Sequence, residues 1–342
     1  LLEQARLNFL REREGAISGF CAAVPGNVTE PVRWFHAEAS NLTDLAPIIS
    51  LTSGEWHHDH FSRLAGHEVP AHLTARTRYG TPCHINYHVG EVGHTVYVGP
   101  TSAGKTVQKM LMTSQGFKYP HYRAVIFDKD LSCQAAALMH DGEWINMAPA
   151  SGTNLSELDA PRMNPLAYLR EPGTLLWLVN WIDRLMAHRG ERLTEQEMTL
   201  LTQALERLRD DPGQSPRLSS LLVQLTERES RNLAERLQIW CEGGAYGSYF
   251  DNEVDELTFS SITCFEIGGL ITLNLGDVLR AFTDYVFFRV ERMIGDAKGD
   301  AHGPTEIYFE EAGFLLEDPI FAERAATYLM TLRKKNAYLV MT

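Results

Sequence analysis

Short apolar runs at 85–89, 95–98, 124–127, 262–267, 306–309 and 338–341 have the length and the β-branched and aromatic content of buried strands. Between several of them the apolar residues recur at helical spacing, with a helix expected from Gly104, another over 278–294 and another over 320–335. Strands alternating with helices predict an α/β domain, a mostly parallel sheet covered by helices.

The alternation stops between about Pro172 and Cys241. There Leu175, Val179, Ile182, Leu185 and Met186 fall on one helical face, and Thr194-Glu195-Gln196-Glu197 has the form of a capped helix start. Asp210-Asp211-Pro212-Gly213 breaks the run. This pattern predicts an all-helical insertion, which separates the two halves of the α/β domain. Gly243 to Asp251 is expected as a loop leading back to the core.

Ahead of the strands, 1–14 is charged and helical in pattern, 16–24 is apolar, and Pro25-Gly26-Asn27 ends it. Residues 53–82, rich in Gly, His, Pro and Thr, are expected to form a linker or surface excursion. Their histidines, His57, His58, His60, His67 and His72, match no metal-ligand spacing and are expected to be solvated.

The chemistry begins at the 95–98 strand. It runs into Gly99-Pro100-Thr101-Ser102-Ala103-Gly104-Lys105-Thr106-Val107, a G-x-x-x-x-G-K-T loop opening a helix. The glycines let consecutive backbone N–H groups and the helix N-terminus face phosphate oxygens. Lys105 then reaches the β- and γ-phosphates, and the Thr106 hydroxyl is placed to ligate Mg²⁺, so ATP and Mg²⁺ are the expected ligands. The 306–309 strand ends in Glu310-Glu311. Glu310 is expected in the Mg²⁺ shell and Glu311 beside the attacking water. Asp128 ends the 124–127 strand, expected next to the loop's own strand, and is a rival for the water. Asp130 is the better candidate for capping the following helix. Arg333, in Arg333-Lys334-Lys335, is either a helix-end cation or a finger reaching a neighbouring subunit's γ-phosphate.

With 342 residues, 44% of them apolar, the chain is long enough for a large core and about two domains. A net charge of −13 argues against a broad surface that tracks nucleic-acid phosphates. Five widely spaced cysteines without a C-x-x-C pair read as reduced thiols. The nearly uncharged window 257–276 still holds Glu266 and several glycines, so it reads as a buried strand with its loops and not as a membrane span.

In order along the chain, these stretches resemble the TrbE-like transfer ATPases, the large cytoplasmic ATPases of type IV secretion and conjugation systems. The likeness is carried by His88 to Thr95 running into the loop, Ile126-Phe127-Asp128-Lys129-Asp130, Met163-Asn164-Pro165-Leu166 and Gly247-Ser248-Tyr249-Phe250-Asp251. Phe309 to Leu315 and Thr331 to Ala337 complete the set, with Ala23 to Asn27 and Asn41 to Pro47 upstream. The resemblance implies a RecA-like P-loop ATPase core, first part 83–171 and second part 243–342, interrupted by the helical insertion 172–242. Residues 1–82 would be the end of an N-terminal α+β domain and a linker. It implies hydrolysis of ATP to ADP and phosphate to energise pilus biogenesis and substrate transfer. Assembly as a hexamer or related homo-oligomer, beside other secretion components at the bacterial inner membrane, is implied too. Family members are longer at both ends, so this chain is expected to be a piece. Glu310 stands where the family usually has Asp, and Gly313 where it often has Trp. A DNA translocase of the coupling-protein type and a nucleotide-gated scaffold with weak hydrolysis are the competing functions; direct nucleic-acid binding is not favoured.

Overall fold

The computed structural model describes residues 17, 20, 21, 53–100, 102–148, 160–187, 192–225, 228–296, 303–310, 312–316 and 319–342. From Ser53 onward they belong to one compact unit. Ile17, Phe20 and Cys21, in the separate unit Leu1–Thr52, are helical.

Helix α1 (Asp59–Ala65) precedes an antiparallel hairpin of β1 (Leu73–Arg76) and β2 (Pro82–Ile85). Then come β3 (Thr95–Val96), α2 (Lys105–Gly116), β4 (Arg123–Asp128), α3 (Gln134–Met139) and β5 (Glu143–Asn146). Four helices follow without a strand between them among the described residues: α4 (Thr174–Met186), α5 (Glu195–Asp210), α6 (Leu218–Gln224) and α7 (Arg231–Leu237). A short α8 (Gly247–Phe250) leads to β6 (Ile262–Glu266), α9 (Gly268–Thr272) and the long α10 (Gly276–Asp296). The chain then runs through β7 (Thr305–Phe309), α11 (Ala312–Leu316), α12 (Pro319–Thr331) and β8 (Ala337–Met341).

Strands β3 to β8 form one sheet in the order β3-β8-β7-β4-β6-β5, and every pairing in it is parallel. The strands' two-residue period sorts the core into two. Val125, Phe127, Phe265, Ile307, Phe309 and Leu339 face the helical side, with α4, α5 and α10. Ala124, Ile126, Cys264, Tyr308, Tyr338 and Val340 face the other side, with Met110 and Met112 of α2. On the helical side Trp181 Nε1 donates to the Ala281 carbonyl at 3.0 Å, and Arg184 pairs with Asp284. Thr194 and Glu197 form a reciprocal capping box at the start of α5.

Three local expectations are corrected. The strand read at 85–89 lies at Pro82–Ile85, because the hairpin with β1 fixes its register; Val89 instead bridges Val92 around Gly90 at φ +64°. Strand β4 does not neighbour β3, since β8 and β7 lie between them. The histidines of 53–82 are not all solvated. His58, His60 and His72 are buried, packed with Phe61, Tyr87, His88 and Tyr119. A polar ring at this spacing looks solvated in sequence, but the neutral imidazole is a flat, largely apolar surface that stacks on aromatic neighbours.

Candidate functional site

Beyond β3 the Tyr97 N–H still pairs with the Met341 carbonyl at 2.8 Å, and the chain then turns through Gly99 to Gly104 into α2. Gly104 is the N-cap at φ +83°, where a Cβ would be strained, and Ser102 sits at φ +63°. Gly104 brings no capping side chain, and Gln108 N–H is the donor that bonds back to the Gly104 carbonyl at 2.9 Å. The N–H groups of Lys105, Thr106 and Val107 therefore have no intrahelical acceptor, which is the arrangement an anion uses. Lys105 Nζ folds back over the loop and donates to the carbonyls of Gly99 at 2.9 Å and Pro100 at 3.2 Å.

The loop meets the acidic strand end directly. Thr106 Oγ1 donates to Glu310 Oε1 at 2.8 Å, across 204 positions of sequence. Ser132 Oγ lies in hydrogen-bond contact with both Asp128 and Glu310, and the Cys133 N–H donates to Asp128 Oδ2 at 2.8 Å. Burial, then the hydrogen bond with Glu310, raises the Asp128 carboxyl to about 7. Burial opposes ionisation of Glu310 too, but hydrogen bonds from Asp128, Ser132 and Thr106 hold its carboxyl below the ordinary range. The two carboxyls are thus pushed apart, Asp128 toward its protonated form and Glu310 toward its charged form. Ligand atoms of Asp128, Cys133 and Glu310 lie within 4.8 Å of one another. Burial keeps the Cys133 thiol protonated. The donors left are oxygens of Thr106, Glu310 and Asp128, a set that suits a hard cation such as Mg²⁺.

Of the residues expected in the site, Gly99, Pro100, Ser102, Ala103 and Gly104 line the exposed loop, Lys105 and Thr106 are half-buried, and Val107 is exposed. Thr101 and Glu311 lie outside the described residues. Glu310, one methylene longer than Asp, spans the gap to Thr106 by itself. Asp128 is brought to Glu310 although its strand is not next to β3. Asp128, rather than Asp130, accepts the N–H at the start of the next helix. Arg333 is not brought in: it is exposed on a 3₁₀ turn (Leu332–Lys335) just before β8, hence at the opposite end of the parallel sheet from the loop.

Sequence reasoning missed two features. Ser132 was one, for which only its position four residues after Asp128 gave a signal. The other is a buried network below the loop. Lys109 and Glu306, both fully buried, form an ion pair. Glu306 Oε1 also accepts from Thr113 Oγ1 at 2.9 Å, and Oε2 from Tyr122 at 2.8 Å and Tyr338 at 3.2 Å. A carboxylate inside an otherwise apolar strand was the available clue.

A parallel sheet with a glycine-rich loop after one strand, and an acidic residue from another strand bonded to that loop, defines an α/β protein of the RecA-like class. In sequence the chain is similar to the TrbE and VirB4 proteins of conjugal transfer and type IV secretion. It is 28% identical over 96% of its length to the conjugal transfer protein TrbE of Rhizobium radiobacter, covering 38% of that protein. It is 27% identical over 96% of its length to the type IV secretion system protein virB4 of Bartonella henselae, covering 39% of it. The fold matches VirB4 of Thermoanaerobacter pseudethanolicus with a TM-score of 0.58, over 79% of this chain and 76% of that one, at 16% identity. No protein-family model matches the chain. The chain spans about two fifths of the length of these two curated relatives. Among the described residues no helix is long and apolar enough to cross a membrane.

Proposed function

We propose that this chain is the ATP-hydrolysing part of a type IV secretion or conjugation motor, coupling ATP hydrolysis to pilus assembly and substrate transfer. The observation that carries the reading is the Thr106–Glu310 contact, which joins the phosphate-loop motif to the acidic strand end. The unpaired N–H groups at the start of α2 hold the phosphate oxygens, and Lys105 leaves the Gly99 and Pro100 carbonyls for the β- and γ-phosphates. Thr106 and Glu310 would hold Mg²⁺, which would supply positive charge against the negative charge that develops on the phosphate oxygens. Glu311, directly after Glu310, orients the attacking water, and Arg333 serves the site of a neighbouring subunit. The protein works as a homo-oligomer, a hexamer or a related ring, peripheral to the bacterial inner membrane and beside other secretion components.

The test is steady-state phosphate release from the assembled, full-length protein with Mg²⁺. Turnover that is lost on Lys105→Ala and insensitive to DNA supports the motor. Nucleotide binding without turnover supports a nucleotide-gated scaffold instead, and strong stimulation by DNA supports a translocase.

A further inference from the structure

The Lys109–Glu306 network lies directly below the contact that joins loop to strand. Residues 306, 308 and 310 alternate onto the α2 side of β7, spanning about 13 Å at the usual strand rise. Against that row α2 runs the opposite way. Thr106 meets Glu310; Lys109, nearly one turn on, meets Glu306 and lies 4.5 Å from the centroid of the Tyr308 ring; Thr113, one turn further, meets Glu306 again. Each Glu306 oxygen has two donors, and the ammonium of Lys109 is shared among Glu306, Thr113 and the Tyr308 face. A buried pair is weak evidence of stability, because desolvating two charges costs about as much as their attraction returns. What a fully satisfied pair does supply is a directional lock, since sliding α2 along β7 by one residue would strand both charges in the core.

We infer that the buried Lys109–Glu306 pair is a positioning element that fixes α2 on β7 so that the Thr106 hydroxyl meets Glu310, and thereby sets the cation affinity of the site. Neither residue touches the nucleotide in this account. The inference rests on the nucleotide reading for its effect on turnover, but its structural part is independent of that reading. Burial opposes ionisation of Glu306, yet Lys109 and the Tyr122 hydroxyl hold its carboxyl below the ordinary range; burial lowers Lys109 in turn, and the Glu306 carboxylate beside it opposes that shift.

The test uses the full chain with both charges removed together, Lys109→Met with Glu306→Gln, because either single change leaves an unpaired buried charge. Amide exchange in nucleotide-free protein is expected to rise by about fivefold or more over 108–113, where the α2 amides are hydrogen-bonded, and to stay at the parent's rate over 174–186. With ATP, the half-saturating Mg²⁺ concentration is expected to rise about fivefold and kcat to fall about tenfold, with Mg²⁺-free nucleotide binding within about twofold of the parent. A folded double variant with the parent's exchange over 108–113 overturns the inference, whether or not the chain hydrolyses ATP. Should the double variant not fold, Tyr122→Phe removes one donor to Glu306 and keeps the pair. Faster exchange over 108–113 in that variant supports the inference, and unchanged exchange overturns it. Loss of the nucleotide reading shows up separately, as parent protein that neither binds nor turns over ATP.

Discussion

The hydroxyl of Thr106 and the carboxylate of Glu310 stand 2.8 Å apart, joined by one hydrogen bond between the first turn of α2 and the end of β7. Under the proposed function, removing the hydroxyl would delete one cation ligand, and it removes one of the bonds that hold the Glu310 carboxyl below the ordinary range. Thr106→Ala is expected to raise the Mg²⁺ requirement of ATP turnover by at least about tenfold, since a hydrogen bond to a charged group is worth about 1.5–3 kcal/mol. Mg²⁺ titration of phosphate release measures it; an unchanged requirement removes Thr106 from the cation shell.

Asp128 is the carboxyl pushed toward its protonated form, and an amide in its place offers a neutral donor toward Glu310 and an acceptor for the Cys133 N–H. Asp128→Asn should therefore keep kcat within about threefold, while Glu311→Gln lowers it by about 10² or more, the range for a positioned acid–base group. The reverse pattern in single-turnover assays would move water activation to Asp128.

The buried histidines make stability depend on pH. Burial and the neighbouring His58, His60 and His72 lower His88 to about 2, and burial lowers His72 to about 4 and His58 to about 3. These rings stay neutral in the fold but take up protons in the unfolded chain below about 6.5, so stability is intact above that pH and falls as pH drops through 6 toward 4. Asp128, raised to about 7, acts in the opposite sense between about 4 and 7. Among the described residues His88 Nδ1 has no hydrogen-bond partner, and its ring stacks on His60 at 4.6 Å. His88→Phe keeps the stack and removes one such titration. The loss of stability between pH 7 and pH 5 should shrink by about 2 kcal/mol in urea titrations; an identical pH slope would place the titration elsewhere.

How much of this was legible follows from the range of each signal. The strands β4, β6, β7 and β8 and the helices α2, α5 and α10 announce themselves through local periodicity, and Thr194 with Glu197 through a cap confined to four residues. The loop motif is equally local. Strand order is not: nothing near Asp128 shows that β7 and β8 come between β4 and β3. Likewise His58 and His72 are buried against Tyr119, 61 and 47 positions further on, and Lys109 finds its partner 197 positions on. Contacts at such separations leave only indirect marks in sequence, such as a charge inside an apolar strand.

Arg333 stands at the far end of the sheet from its own loop, so any finger role must be exercised on another subunit. Arg333→Ala should bind ATP normally and hydrolyse it slowly, with kcat falling more than affinity. Mixed with Lys105→Ala subunits it should recover activity, because one interface then combines an intact loop with an intact Arg333. No recovery after demonstrated subunit exchange leaves Arg333 as a cation near the end of α12 alone.

The central claim is that Gly99 to Thr106 holds the phosphates of ATP, with Lys105 serving the transferred group. The most direct measurement compares full-length parent and Lys105→Ala protein in Mg²⁺-dependent phosphate release, with thermal unfolding alongside. Among the described residues Lys105 bonds only carbonyls of its own loop, and it is not part of either core, so its truncation should leave the unfolding temperature within about 2 °C. Turnover should fall by at least about 10³-fold, the scale set by cations that stabilise phosphoryl transfer. Lys105→Ala protein that unfolds as the parent does and releases phosphate at the parent's rate would contradict the account.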